Sequence, residues 1–311
     1  AISNQEGVMM ESKDIKLKNK RKFASNLRQM AFGGNADEEV LVEQWTFDSN
    51  GNLVENRKWE EGGSCEINTF EYDEHGRMML HTLVLEPFDA LEKTAYIRDE
   101  QGRVLSETKY YGEDAGERVE YLYNSHVNPV GVKRFDADGL LESTEKVELD
   151  QNGDLLVHHK FDADGNIVEK SEVNYAEPGK PSGKTVTSAE SNLIGKTEIV
   201  YNDLGQVIRA TELTPEGKVL SDVISEYDER GNVIVRRIRD FNPRLLRFEY
   251  DSNDRVITEE IYDEHGNMVL RNTMEYDDNG YLTSETEFWL DTGRGASHKN
   301  SVSRFEYDFH D

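Results

Sequence analysis

The residues most open to a chemical reading are carboxylates set beside glycine. Asp136-Ala137-Asp138-Gly139, Asp162-Ala163-Asp164-Gly165 and Asp277-Asp278-Asn279-Gly280 invite comparison with a calcium loop. Such a loop takes ligands at its positions 1, 3 and 5 and a bidentate Glu at position 12. These turns lack the fifth and the twelfth. An Asp that accepts from backbone amides two residues on accounts for them without metal. Gly183-Lys184-Thr185 has the ending of a phosphate loop, but the first Gly would fall on Pro178 and no Val/Ile-rich strand precedes it. Cys65 is alone, which leaves no intramolecular disulfide and no Cys/His metal site. No nearby His would activate its thiol. His158 and His159 are adjacent, so a strand would turn them to opposite faces. His75 and His265 take the same loop position in two repeats and mark a solvated turn. Carboxylates are too plentiful for any acid–base pair to stand out. The residues therefore point to a protein that is not an enzyme, with no catalytic, cofactor-binding or metal-binding set.

What organises the chain is a repeat: an aromatic, Asp, two free positions, Gly, a polar residue and an apolar one. It reads Phe47-Asp48-Ser49-Asn50-Gly51-Asn52-Leu53, then Tyr72-Asp73-Glu74-His75-Gly76-Arg77-Met78. It returns at 135–141 (Asp136, Gly139), 161–167 (Asp162, Gly165), 201–207 (Gly205), 227–233 (Asp228, Gly231), 262–268 (Asp263, Gly266) and 276–282 (Asp277, Gly280). Weaker copies lie at 98–104, 149–155, 213–219 and 250–256, the last with Asp254 in place of Gly. Degenerate copies begin at Trp59, Tyr123 and Tyr175. The spacings are near 12, 14 or 26 residues, and an internal period of this kind outranks any local motif.

The motif spells a hairpin. Asp opens a type I turn, and Gly takes the left-handed conformation of a G1 bulge, where a Cβ would clash. The aromatic then faces the apolar residue two after Gly, a cross-strand pair of about 0.2–1 kcal/mol. These turns and strands predict an all-β, repetitive antiparallel meander of roughly twenty strands. At about 4.8 Å per strand the sheet would run near 100 Å, and its twist would curl it into one long spiral or half-tube.

Two stretches depart from the pattern. Residues 11–32 hold seven basic residues, Lys13 to Arg28, and Phe23, Leu27 and Met30 have helical spacing ahead of Gly33-Gly34. Residues 1–36 therefore read as a basic N-terminal arm or short capping helix on the acidic sheet, and 37–311 as the hairpin-repeat domain. Residues 176–184, with Pro178 and Pro181, read as a long loop. The last strand, near 301–307, would end as an unpaired edge able to pair with a second copy or a partner's strand.

Composition bounds the partners. With 36 Lys and Arg against 63 Asp and Glu, the net charge is −27, which argues against nucleic acid, because phosphate binding needs cations. Counting Gly and leaving out Tyr, about 39% of residues are apolar, below the about 45–50% of globular chains, so a thin layer suits the sequence better than a thick core. No run of about 18 apolar residues offers a transmembrane segment. The chain begins at Ala1 with neither Met nor a signal-like segment, which reads as a processed or trimmed form and is compatible with export.

The Tyr72-Asp73-Glu74-His75-Gly76, Tyr227-Asp228-Glu229-Arg230-Gly231 and Tyr262-Asp263-Glu264-His265-Gly266 series resembles the YD repeats of the Rhs family of bacterial surface and toxin proteins, also found in teneurins. It is similar too to short β-hairpin repeats of some bacterial antitoxin proteins. The resemblance covers nearly everything after Phe47. It implies strands wound in a spiral sheet and a secreted or surface-exposed bacterial protein, and it carries over no catalytic residues. About twenty strands would be too few for a closed cocoon. The expected function is a non-enzymatic binding or structural scaffold at the cell surface or in the periplasm, with an unknown protein or glycan as partner. A carbohydrate-binding module using Trp45, Trp59 and Trp289 is the alternative. A toxin-neutralising protein whose acidity mimics nucleic acid is a further one.

Overall fold

The computed structural model describes residues 16–26, 39–60, 63–88, 90–124, 128–291 and 296–310. All regular structure among them is β: twenty-two strands, numbered β1 to β22 in chain order, from β1 (Leu17–Asn26) to β22 (Ala296–Phe309). Each pairs antiparallel with the next. The β2 (Val40–Phe47) to β3 (Leu53–Trp59) register, for example, sets Phe47 against Leu53 and Trp45 against Asn56.

The meander closes. β1 pairs on one side with β2, Asn19 against Thr46 to Ala24 against Val40, and on the other with β22, Leu17 against Phe309 to Asn26 against Ser301. The spiral sheet with a free C-terminal edge is thus corrected to a barrel without edges. The physical reason is that right-handed twist and coil, accumulated over so many strands, bring the two ends of the sheet to within one strand of each other. The missing strand is the basic segment itself. Leu17–Asn26 is extended, not helical, because two open ladders offer it hydrogen bonds on both sides, and such pairing outranks a weak helical spacing. Leu27, Met30 and Gly33-Gly34, with residues 1–15, Glu61-Gly62 and 125–127, lie outside the described residues.

A second correction concerns residues 176–184. They are no long loop: β12 (Ile167–Glu177) and β13 (Lys180–Ser188) meet across Pro178-Gly179. Pro181 faces Tyr175 at a break in register, where a proline disturbs the ladder least. Gly183-Lys184-Thr185 therefore lies within a strand, far from phosphate-loop geometry.

Twenty-two strands with ordinary tilt enclose a ring roughly 40–45 Å across, too wide for side chains to fill. The accessible surface agrees, at 20492 Å² where a compact chain of this length exposes about 13,000 Å². Among the described residues the buried apolar side chains are Cys65, Ile67, Val119 and Phe305, so the wall is one layer held by ladders and same-face neighbours. Both faces carry ionisable groups in mid-strand. Arg57 and Lys58 are adjacent on β3, and so are Arg236 and Arg237 on β17 (Val233–Arg239). No helix of the described residues is long and apolar enough to cross a membrane.

Candidate functional site: two unlike rims and a closing seam

Each repeat turn is built by its own Asp. At Asp48 the Gly51 amide donates to the Asp48 carbonyl (3.0 Å), and Gly51 has φ of 87°. The Asp48 carboxylate takes the amides of Asn50 and Asn52 on Oδ1 (2.8 and 2.9 Å) and the Asn52 side chain on Oδ2 (2.9 Å). Asp73 binds the His75 and Arg77 amides and, at 2.7 Å, Arg77 Nε. Asp162 and Asp263 hold Asn166 and Asn267 in the same way, and Asp228 holds Asn232. Asp136 and Asp277 accept the amides of Asp138 and Leu140 and of Asn279 and Tyr281. In the Gly205 turn Asn202 does this work. Gly76, Gly139, Gly165, Gly205, Gly231, Gly266 and Gly280 all have positive φ, and Asp254, in the Gly position of its copy, has φ of 61°.

These bonds favour the ionised acid. The Arg77 amide, then its guanidinium, holds the Asp73 carboxyl down at about 2. Side-chain amides of Asn52, Asn166 and Asn267 lower Asp48, Asp162 and Asp263. The carboxylates that suggested calcium thus face their own turn amides. Among the described residues no group of three or more His, Cys, Asp or Glu is placed to hold a metal ion.

Alternate turns lie at opposite ends of the barrel, and the two ends differ. Past each aromatic–aliphatic pair the register slips by one residue, a second bulge beyond the glycine that sequence reasoning missed. The carbonyl two residues after Gly then accepts a tyrosine hydroxyl from the next turn of the same rim. Tyr72 donates to Leu53 (2.7 Å), Tyr123 to Val104 (2.9 Å), Tyr175 to Leu155 (2.9 Å) and Tyr201 to Pro181 (2.9 Å). Tyr227, Tyr250, Tyr276 and Tyr307 continue it to Val207, Val233, Val256 and Leu282 at 2.7 to 2.9 Å. Where the motif has Arg98 in place of the aromatic, the guanidinium reaches the Met78 carbonyl at 3.0 Å. His310 Nε2 lies 3.1 Å from the Phe47 carbonyl and carries the belt across the closure.

A second set of bonds links neighbouring turns of this tyrosine rim. The Gly179 amide donates to Asp154 (2.8 Å), Asn232 Nδ2 to Asp254 (2.7 Å) and Gln206 Nε2 to the Gly231 carbonyl (3.4 Å). At the opposite rim the aromatic of the motif is Phe135 or Phe161, which have no hydroxyl, or Tyr262, whose hydroxyl goes to Glu260 instead. A Cβ at Gly139, Gly165, Gly217 or Gly266 would meet nothing within 4 Å. This open rim carries Phe88, Leu140 and Phe241, exposed by 75%, 65% and 98%, and the tyrosine rim carries Leu204, exposed by 80%. The signal was present in the sequence as Tyr175, Tyr201, Tyr227, Tyr250 and Tyr276 recurring about every 26 residues, but it needed the alternation of ends to be read.

The remaining candidates do not converge. Cys65 is free and buried, and burial pushes its thiol up. Register sets Trp45 and Trp59 on opposite faces, and the half-exposed Trp289 donates to Glu287. Trp45 lies under Lys20, with Nζ 4.7 Å from its ring. His158 pairs with Glu145 at 3.1 Å while His159 turns towards Phe161.

The seam around β1 is ionic. Arg21 reaches Asp308 (2.8 Å) and Glu306 (3.5 Å), and Lys22 reaches Glu285 (3.6 Å). Lys20 and Lys22 both stand over the Phe305 ring, and Arg304 over Phe23 (4.5 Å).

No protein-family model matches the chain, and no curated protein matches it in sequence. Among solved structures it is similar to the TcdB2–TccC3–Cdc42 complex, with 16% identity and a TM-score of 0.31 over 83% of this chain and 19% of that one. It is similar also to a Tc holotoxin pore of Photorhabdus luminescens with a mutated TccC3, at 15% identity and a TM-score of 0.31 over 87% of this chain and 20% of that one. A porin-like protein of Bacteroides uniformis shares 11% identity, with a TM-score of 0.32 over 94% of this chain and 98% of that one. The chain spans about a fifth of the length of the toxin-complex chains it matches.

Proposed function

We propose that the protein is a YD-type hairpin-repeat scaffold, non-enzymatic and working outside the cytoplasm, that presents its open rim to a protein partner. The observation that carries this reading is the inequality of the two rims. One is bound turn to turn by the tyrosine belt, so it serves as a frame. The other makes none of these tyrosine-to-carbonyl bonds among the described residues and sets the aromatic rings of Phe88 and Phe241 in water. An aromatic side chain exposed by 98% at a turn tip adds nothing to the fold and is the kind of anchor that partner contacts use. The acids of the repeat support the same reading, because their oxygens are engaged by their own turns.

The test is affinity capture with the full chain from envelope and soluble fractions of the source cell, beside the Phe88→Ser/Phe241→Ser variant. The expected result is one envelope partner, enriched at least tenfold and lost in the variant. Equal capture by both forms would reject the open rim as the contact. Binding on a glycan array that disappears in Trp289→Ala would replace the reading with a carbohydrate-binding one.

A further inference from the structure

The strand that closes the barrel is unlike its neighbours. β1 holds Lys18, Lys20, Arg21 and Lys22 and no acid. The slot that receives it is acidic: Glu43 stands opposite Lys22 on β2, Glu306 opposite Arg21 on β22, and Asp308 and Glu285 take the ion pairs. The slot is also lined with rings. Trp45 and Phe305 lie beneath Lys20, and Phe305 beneath Lys22 as well. Recognition is therefore twofold, main-chain ladders on both sides and cations against acids and aromatic faces. None of it depends on β1 belonging to the same molecule.

The connection allows that substitution. Thirteen residues separate β1 from β2, where β12 and β13 are joined by two. Extended, thirteen residues reach about 43–47 Å, on the scale of the barrel's own width. The other connections between consecutive strands are shorter, at most the eight residues between β8 (Asp114–Leu122) and β9 (Gly131–Phe135). Without β1, β2 and β22 would be two facing open edges, the kind of template that accepts an added strand.

We propose that the slot between β2 and β22 is a strand-acceptor site for a basic strand, and that a second copy of this chain fills it with its own β1, giving a strand-exchanged dimer. The contacts in the exchanged form are the ones made in the closed monomer, so exchange costs no pairing and the balance is set by concentration. The proposal does not rest on the open-rim function.

Charge complementation tests it with full-length chains. One variant reverses the strand (Lys20→Glu, Arg21→Glu, Lys22→Glu) and the other the slot (Glu285→Lys, Glu306→Lys, Asp308→Lys). Each is mismatched within itself, but in an exchanged pair both strands meet complementary slots. Refolded together, the two should form a mixed dimer at least tenfold more abundant than either homodimer, read by light scattering and mass spectrometry. Monomers alone, or dimers in statistical proportion, overturn the proposal. If neither variant folds even when mixed, a labelled peptide of residues 16–26 added to the native chain decides. It should bind at least tenfold more tightly than the same peptide with Glu at 20, 21 and 22, and equal or absent binding of both overturns the proposal.

Discussion

The Tyr72 hydroxyl donates to the Leu53 carbonyl at 2.7 Å, across nineteen positions of sequence. Leu53 faces Phe47 in its own hairpin, and the slip in register just beyond leaves its carbonyl turned towards the following one. A tyrosine at the end of one hairpin thus completes the hydrogen bonding of the hairpin before it. Repeated around one rim, with Arg98 standing in at one turn and a break at Leu149, which has no hydroxyl, this bond ties successive hairpins together.

Removing one hydroxyl should weaken the rim locally. Tyr276→Phe leaves the Val256 carbonyl without its partner and should cost about 1 kcal/mol in urea unfolding. Arg98→Ala should cost as much, and Arg98→Tyr should restore it. Phe161→Tyr at the open rim should change nothing. Equal effects at both rims would show that the belt contributes no stability.

Glycine at the turns should be needed to different degrees. Gly231→Val forces a β-branched residue to φ near 95° and crowds Gln206 Nε2, 3.0 Å from a Cβ there, so it should cost more than about 1 kcal/mol. Asp254→Gly relieves φ of 61° but loses the Asn232 and Arg230 contacts, at 2.7 and 2.8 Å. These effects oppose each other, and the midpoint should stay within about 0.5 kcal/mol.

Acid should release the turns. Asp73 titrates near 2 in the fold against about 3.9 when free, so its contribution is whole above about pH 4 and drains away as pH falls towards 2. Asp48, Asp162 and Asp263 are lowered in the same direction. Thermal midpoints should fall steeply across that window, and Asp73→Asn should make the fall shallower. A midpoint that rises throughout would mean that relief of the −27 charge outweighs the turns.

Alkali should attack the belt. Burial raises Tyr307 to about 12, against about 10 when free, so the neutral phenol is favoured by folding. Its contribution is complete below pH 10 and is lost as pH climbs to 12. Tyr72, Tyr175, Tyr250 and Tyr276 are raised by burial as well. Phenolate absorbance should therefore lag behind that of free tyrosine until the barrel unfolds. Early ionisation without unfolding would count against the belt.

The amino-acid sequence by itself determined the turns and the all-β meander. Asp48 and Gly51 act on atoms within five residues, and the facing of Phe47 and Leu53 follows from that loop, so both are legible locally. Proline misled at residues 176–184, because whether Pro181 breaks a strand depends on the register opposite it. Only the tertiary structure decided that Leu17–Asn26 is a strand, since its partner Asp308 stands 289 positions from Asn19. Closure was likewise beyond local reading. Each strand adds a small twist, and whether twenty-two of them end in a spiral or a ring depends on their sum. The rims became unlike for the same reason: the tyrosine belt exists only where successive turns of one end stand side by side.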